Sequence, residues 1–462
     1  MRITKFHAAS LILVLFVSGG SYAVARNGVD VGKAVVDSRC SAGAFIAHSK
    51  APSAVQADVH SDAAITRSTL TGQAPSSDYA PVALVPTNLM INGTLETLNG
   101  SRPKSWDSNA TGDNKSTFSV IPGFSSKTGV RIDVATYTGG TADWFGPNIA
   151  VNPGGYYQFQ DKYRSNVTSR AVLMLKDTTG KSQYINLDSV AASDQWATYT
   201  QRFFVPMNVA EIMISHPLDR AGWLETDNYN LQQATARPYS EAMISLTFDD
   251  GWRSIHDTAL PLMKHYDIVS TQYLVSGFLG RLKEYMSPGQ VYDFIKARHE
   301  IGSHTFDHPD LTKLSDNELG RQLTLPSIGL GKCYQNISSF AAPFGANNER
   351  TLKAEKTIYS TSRSTEVGFN SPDTLNPYQL KVQNVRADTT PQQMRAWVDT
   401  AKANHIWLIL VYHQVIDNGG EFARTALDFE TDLITIKNSN VDTLTIHDAN
   451  ARAQSESIIQ KH

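Results

Sequence analysis

The sequence predicts a multidomain chain, with an all-β sandwich of jelly-roll type followed by an α/β domain built on a parallel sheet. Two observations carry this. Between Asn88 and Gln233 apolar residues alternate in short runs separated by Gly, Pro, Asn and Asp, with no sustained helical period. From Ala242 onward strand-like and helix-like segments alternate, as in repeated βα units. The chain has 462 residues, 41% of them hydrophobic, enough to bury two cores.

Residues 1–25 read as a signal peptide. Arg2 and Lys5 precede an apolar run from Ala8 through Val17, and Ala23-Val24-Ala25 reads as a cleavage site. The run is shorter than the roughly 20 residues a membrane span needs. Export to the periplasm or the extracellular space is expected, with no integral span in the mature protein. Residues 26–86, rich in Ala, Ser, Val and Thr and nearly free of aromatics, read as a disordered linker. Residues 87–235 form the predicted sandwich. Its strands include Val130–Val134, Tyr156–Phe159, Ala171–Leu175 and Ile212–Ile214.

Residues 240–460 form the α/β domain. Met243–Phe248 reads as a buried strand, Ile255–Tyr266 as a helix, Thr271–Val275 as a strand and Gln290–Arg298 as a helix. Pro391–Ala403 reads as a helix capped by Thr390, and Ile406–Tyr412 as another buried strand. The sheet is either open or closed into a barrel. In both cases sites collect at the C-terminal ends of the strands. The 41 basic and 44 acidic residues give a net charge of -3, so no basic excess points to nucleic acid or an anionic membrane. Cys40 and Cys333 are expected to be unpaired, with Cys333 buried, and a monomer is expected.

Four segments carry chemistry. Asp249 and Asp250 follow the strand ending at Phe248, and Gly251 lets the chain bend there. One carboxylate can then hold a metal while the other stays free as a base. His304 and His308 are separated by three residues, a metal-ligand spacing expected on a helical turn. One carboxylate with two imidazoles leaves coordination positions open. His413 ends the strand Leu408–Tyr412 and suits a proton donor. In Phe340-Ala341-Ala342-Pro343-Phe344-Gly345 a strand breaks into a turn whose amide can face an oxyanion. Alone, each also fits an ordinary role: an Asx turn, loop histidines, a strand-end histidine, a plain turn.

Taken in order, Thr247-Phe248-Asp249-Asp250-Gly251, Gly302-Ser303-His304 through His308-Pro309, the Phe340–Gly345 turn and the late Leu408…His413 resemble the polysaccharide deacetylases of carbohydrate esterase family 4. The resemblance implies a distorted (β/α) barrel and a divalent metal, usually zinc, with cobalt, nickel or manganese as alternatives. It implies Asp249 as general base, His413 as general acid, and Asp250, His304 and His308 as metal ligands. It also implies the Phe344 amide as oxyanion donor, with Leu408 and Leu410 bordering an acetyl pocket. Trp252 either shapes the substrate groove or belongs to the core. The implied substrate is a polysaccharide carrying N-acetyl groups. O-acetyl esters are the alternative chemistry, and a non-catalytic glycan-binding protein is the alternative class.

Two departures stand out. Ala341 occupies the position where many members carry an arginine that orients the catalytic aspartate, and the later Asp-x-x-Asp-Trp motif is missing. Arg386 or Asp388 is the expected substitute. His256, His265, His299, His405 and His447 lack partners at ligand spacing, and at least four are expected to be surface or structural. The opening Asn88–Glu96 and closing Trp223–Leu231 of the β-region resemble jelly-roll carbohydrate-binding modules. Trp144, Trp196 and Trp223 are candidates either for stacking on sugars or for the sandwich core.

Overall fold

The computed structural model describes residues 14–17, 21–24, 83–334 and 337–459. The predicted linker up to Val82, most of the predicted signal peptide, Cys40 and the Cys333 side chain lie outside the described residues. Near the start of the chain, Val14–Val17 pairs antiparallel with Ser21–Val24.

The N-terminal region is all-β. One antiparallel sheet runs in the order Ser182–Val190, Ser169–Asp177, Val209–Ser215, Thr141–Phe145, Asp107–Thr111. The other runs Ser193–Phe204, Tyr156–Ser165, Gly222–Thr235, Gly129–Tyr137, Asn114–Ile121. Alternation decides which side chains meet between them: Val130, Ile132 and Val134 from one sheet share a core with Leu173, Leu175, Ile212 and Ile214 from the other. A polar relay crosses this core. His216 lies 2.7 Å from Asp161 through Nδ1 and 3.0 Å from Ser169 Oγ through Nε2. All three are buried, so this Ser–His–Asp arrangement has no opening for a substrate and serves packing.

The C-terminal region is a closed parallel barrel of seven strands. We number them β1 (Met243–Phe248), β2 (Ser270–Leu274), β3 (Glu300–Ser303), β4 (Ser339–Ala341), β5 (Thr361–Val367), β6 (Leu380–Asn384) and β7 (Trp407–Tyr412). The order is β2-β3-β4-β5-β6-β7-β1, and β1 pairs back onto β2. A short strand, Asp442–Thr443, also lies parallel to β1.

Strands β1 and β7 are buried along their whole length because both faces are covered. In β1 and β7 the odd-numbered residues point inward. Met243, Trp407, Ile409 and Val411 fill the barrel together with Tyr273 of β2 and Ala341 of β4. Even-numbered Ile244, Leu246, Phe248, Leu408, Leu410 and Tyr412 face the helix layer. That layer includes α1 (Leu260–Tyr266), entered through a π-helical turn at Ile255–Ala259, and α2 (Pro288–Lys296) with a Ser287/Gln290 capping box. The later helices are α3 (Asp316–Cys333), α4 (Glu349–Glu355), α5 (Pro391–Asn404), α6 (Ala426–Ser439) and α7 (Ile446–Ile459). Thr390 caps α5, its side chain accepting from the Gln393 N–H. A buried Arg424–Asp432 pair, with two contacts of 2.9 Å, ties the segment after β7 to α6.

The two regions share a packed boundary. Tyr156, Phe204 and Ala234 of the sandwich join the barrel's outer core, and Phe204 meets Phe369 edge-on at 6.1 Å. The Met207 N–H donates to Thr400 Oγ1 at 3.0 Å, and Asn404 Nδ2 donates to the Gly154 carbonyl at 3.0 Å.

His299 sits just before β3, at the end of the barrel away from Asp249, and its Nδ1 accepts the Ser270 N–H at 3.0 Å. Burial pushes its pKa from the ordinary 6.5 down to about 4. Below 6.5 the unfolded imidazole takes up a proton that the folded one refuses until about pH 4, so this residue's contribution to stability falls as pH drops through that window. The loss can reach roughly 3 kcal/mol. In urea unfolding, stability should fall more steeply from pH 6.5 to 4 for the wild type than for His299→Asn, whose amide oxygen can take over the Nδ1 position. Identical slopes would refute the assignment.

Candidate metal centre and catalytic site

The site stands at the C-terminal mouth of the barrel, where inward positions run beyond the strand ends. On β1 the inward series Ser245, Thr247 continues to Asp249, and on β7 the series Ile409, Val411 continues to His413. The Asp249 N–H donates to the Tyr412 carbonyl at 3.0 Å, extending the β1–β7 ladder by one residue. The chain then turns sharply, with Asp250 at φ 73° and Gly251 at φ 84°. The left-handed pair swings the two neighbouring carboxylates to different stations.

Asp250, His304 and His308 come together, with one ligand atom from each lying within 4.8 Å of the others. Asp250 Oδ1 is 3.6 Å from His304 Nε2 and 3.3 Å from His308 Nε2. Its other oxygen accepts from the Trp252 indole N–H at 2.8 Å, and that indole stacks on Tyr285 with centroids 4.5 Å apart. The Trp252 indole therefore restrains the orientation of the Asp250 carboxylate. The two histidines do not lie on a helical turn, contrary to the expectation from their spacing. They sit in an irregular loop after β3, where Thr305 and His308 are left-handed at φ 68° and 60°. Thr305 Oγ1 accepts the His308 N–H, and the Gln322 side chain accepts the N–H groups of Phe306 and Asp307. These bonds do what helical hydrogen bonds would otherwise do.

The donor set fits a divalent cation. His304 Nδ1 lies 2.7 Å from the Ala341 carbonyl, which can only accept, so Nδ1 carries the proton and Nε2 turns a lone pair toward Asp250. Burial and the adjacent His304 push the His308 pKa down to about 4, keeping the His308 ring neutral. A carboxylate oxygen and two imidazole lone pairs thus converge where a positive charge is the natural partner.

Asp249 is buried at 4% exposure. Its Oδ2 accepts from Arg363 at 2.5 Å, and His413 Nε2 lies 3.9 Å from the same oxygen. Asp249 Oδ1 and His413 Nδ1 are buried without a hydrogen-bond partner. Burial raises the Asp249 pKa, but Arg363, His304 and His413 together outweigh it and hold the carboxyl below its ordinary range.

Arg363 was not anticipated. The expected substitutes are elsewhere: Arg386 pairs with Glu421 at the surface, and Asp388 pairs with Lys181 of the sandwich at 3.3 Å. Arg363 lies on β5 directly beside Ala341 of β4 in the sheet register. A guanidinium absent from one strand is supplied from the next at the same height. The available signal was a lone arginine in the Thr361-Ser362-Arg363-Ser364-Thr365 strand, where a charge buried on a sheet requires a partner.

Leu408 and Leu410 require correction. Both are fully buried and face the helix layer, not the mouth. Val411 is the inward residue beneath His413, because strand parity places the even positions of β7 outside. Phe344 adopts φ 60° in the turn after β4, and its exposed ring meets His308 edge-on at 4.6 Å. Trp144 is sandwich core at 1% exposure. Trp223 and Trp196 each have one face covered by a guanidinium, Arg131 at 4.7 Å and Arg164 at 5.0 Å.

Residues 236–360 match the polysaccharide deacetylase family model. This chain carries a polysaccharide deacetylase domain. YxkH of Bacillus subtilis, named provisionally as a polysaccharide deacetylase, is 26% identical over 190 residues, covering 39% of this chain and 67% of that protein. A peptidoglycan-N-acetylglucosamine deacetylase of Bacillus cereus is 32% identical, covering 28% of this chain and 45% of that one. A chitooligosaccharide deacetylase of Azorhizobium caulinodans is 28% identical, covering 28% and 60%. The last two alignments therefore span less than two thirds of those relatives. Arg363 and His413 lie beyond the residues matched to the deacetylase family model.

Removing one member of a buried ion pair costs about 3–5 kcal/mol. Arg363→Ala should destabilise the chain by about that amount in chemical denaturation. Adding Ala341→Arg to Arg363→Ala should recover part of the loss, since the two positions are register neighbours. A single variant as stable as the wild type would show that Asp249 does not depend on the pair.

Proposed function

We propose that this protein hydrolyses N-acetyl groups on an amino-sugar polysaccharide outside the cytoplasm. The observation that carries the reading is the convergence, at one barrel mouth, of Asp250, His304 and His308 with a separately held Asp249 and His413. The deacetylases named above support the substrate class. The charged, apolar and small-residue succession at the N-terminus supports export. No helix among the described residues is long and apolar enough to cross a membrane.

Asp250, His304 and His308 would hold the cation, and the mixed carboxylate and imidazole donors favour zinc. A divalent ion there supplies Lewis acidity toward the acyl oxygen and makes water a better nucleophile near neutral pH. Asp249 keeps one oxygen on Arg363 and offers unpartnered Oδ1 as the proton acceptor from attacking water. The water oxygen bonds to the acyl carbon, and the Phe344 N–H is the candidate donor to the resulting oxyanion. The C–N bond breaks as the His413 ring delivers a proton to the leaving nitrogen, giving acetate and a free amine. Trp252 holds Asp250 throughout, and the buried Val411 floors the pocket beneath His413. The N-terminal pair of sheets is read as a jelly-roll module that assists glycan binding.

His304→Ala should lose bound metal and reduce acetate release from chitin oligosaccharides to background. Trp252→Phe keeps the ring and deletes the N–H, so zinc affinity should fall by about 10–100-fold, measured by competition with a chelating dye. Full acetate release after exhaustive chelation would sink the metal-dependent reading.

A further inference from the structure

A cleft of about 590 Å³ opens between the sandwich and the barrel. On the barrel side it is lined by Asn384, Arg386 and Gln393, and on the sandwich side by Lys181 and Tyr184. Asn384 ends β6 and pairs in register with Val411 of β7, so the cleft begins at the height of the catalytic mouth. A chain of side-chain contacts joins the two. The His413 ring lies 5.0 Å from the Phe422 ring, and the Arg386 guanidinium lies 5.2 Å above the other end of that contact, over Phe422 itself. Phe422 is 43% exposed. Among the described aromatics of the sandwich, Tyr184 is the one most open to solvent, at 66%.

Both cations that line this cleft already have carboxylate partners. Lys181 pairs with Asp388 across the domain boundary, and Arg386 pairs with Glu421. What remains for a ligand is amide and hydroxyl hydrogen-bonding groups, the Asp177 carboxylate and the exposed ring of Tyr184. That combination suits an uncharged chain rich in hydroxyl and acetamido groups, whose sugar faces stack on aromatic rings. A polyanion would find no unpaired cation in Lys181 or Arg386.

We infer that this cleft is an extended glycan subsite, in which an uncharged N-acetylhexosamine chain leaving the catalytic mouth passes over Phe422 and Arg386 and rests against Tyr184. The inference rests on the deacetylase reading for its substrate class and assigns the sandwich a direct part in holding substrate.

The test uses the full chain with the dimer and hexamer of β-1,4-linked N-acetylglucosamine, measured by calorimetric binding and by acetate release. The hexamer should bind more tightly than the dimer. Tyr184→Ala should weaken hexamer binding by about fivefold and lower the hexamer-to-dimer ratio of kcat/KM to a similar extent. Gln393→Ala, which removes an amide from the barrel wall of the cleft, should move the ratio in the same direction, and melting curves establish that both variants fold. Hexamer binding equal to wild type in both variants overturns the subsite. Binding sensitive to Tyr184 without acetate release retains the subsite and removes the deacetylase reading. Acetate release with no length preference does the reverse.

Discussion

The Asp249–Arg363 ion pair is the constraint on which the site depends. A carboxylate at the mouth of a barrel filled with Ile409, Val411 and Tyr273 cannot stay ionised unless a positive charge is brought to it. The charge comes from β5, which lies across the barrel from β1, so the pair spans the interior and fixes the distance between opposite walls. Arg363 also lies 5.2 Å over the Tyr273 ring, which covers the guanidinium from below. With one carboxylate oxygen held in this way, the other is left unpartnered and free for chemistry.

Around that pair, the two adjacent aspartates are separated by backbone geometry. Asp249 continues the inward parity of β1, whereas the left-handed Asp250 leaves the strand and turns toward the loop after β3. Each then acquires its own partners: Arg363 for the first, and Trp252, His304 and His308 for the second. Identical side chains one residue apart therefore occupy different electrostatic environments, and that difference permits different roles. The Ala341 carbonyl contributes as well, since it fixes the His304 tautomer from the strand that lacks the arginine.

Much of this arrangement was legible in the residues. The Thr247–Gly251 and Ser303–His308 segments identified the strand ends that meet, and βα alternation indicated a parallel sheet, because hydrophobic period and turn residues are local properties. Leu408 and Leu410 were misplaced because a fully buried strand shows no alternation from which inside and outside can be read. The His304–His308 spacing suggested a helical turn because three intervening residues fit one. The loop's actual shape depends on Gln322, which approaches from α3. Arg363 was missed because its value lies in a neighbour on another strand, and register between β4 and β5 is not a property of either segment alone.

By itself, the sequence determined the inventory: an alternating β-region, a βα region, and the aspartates and histidines capable of binding a metal and moving protons. The tertiary structure decided closure of the sheet, which residues of β7 face inward, which arginine neutralises Asp249, and where the two domains leave a cleft. The division has a physical cause. Periodicity, turns and caps arise from interactions between residues a few positions apart, whereas charge compensation and pocket shape are set by burial among groups more than a hundred positions apart, as Asp249 and Arg363 are.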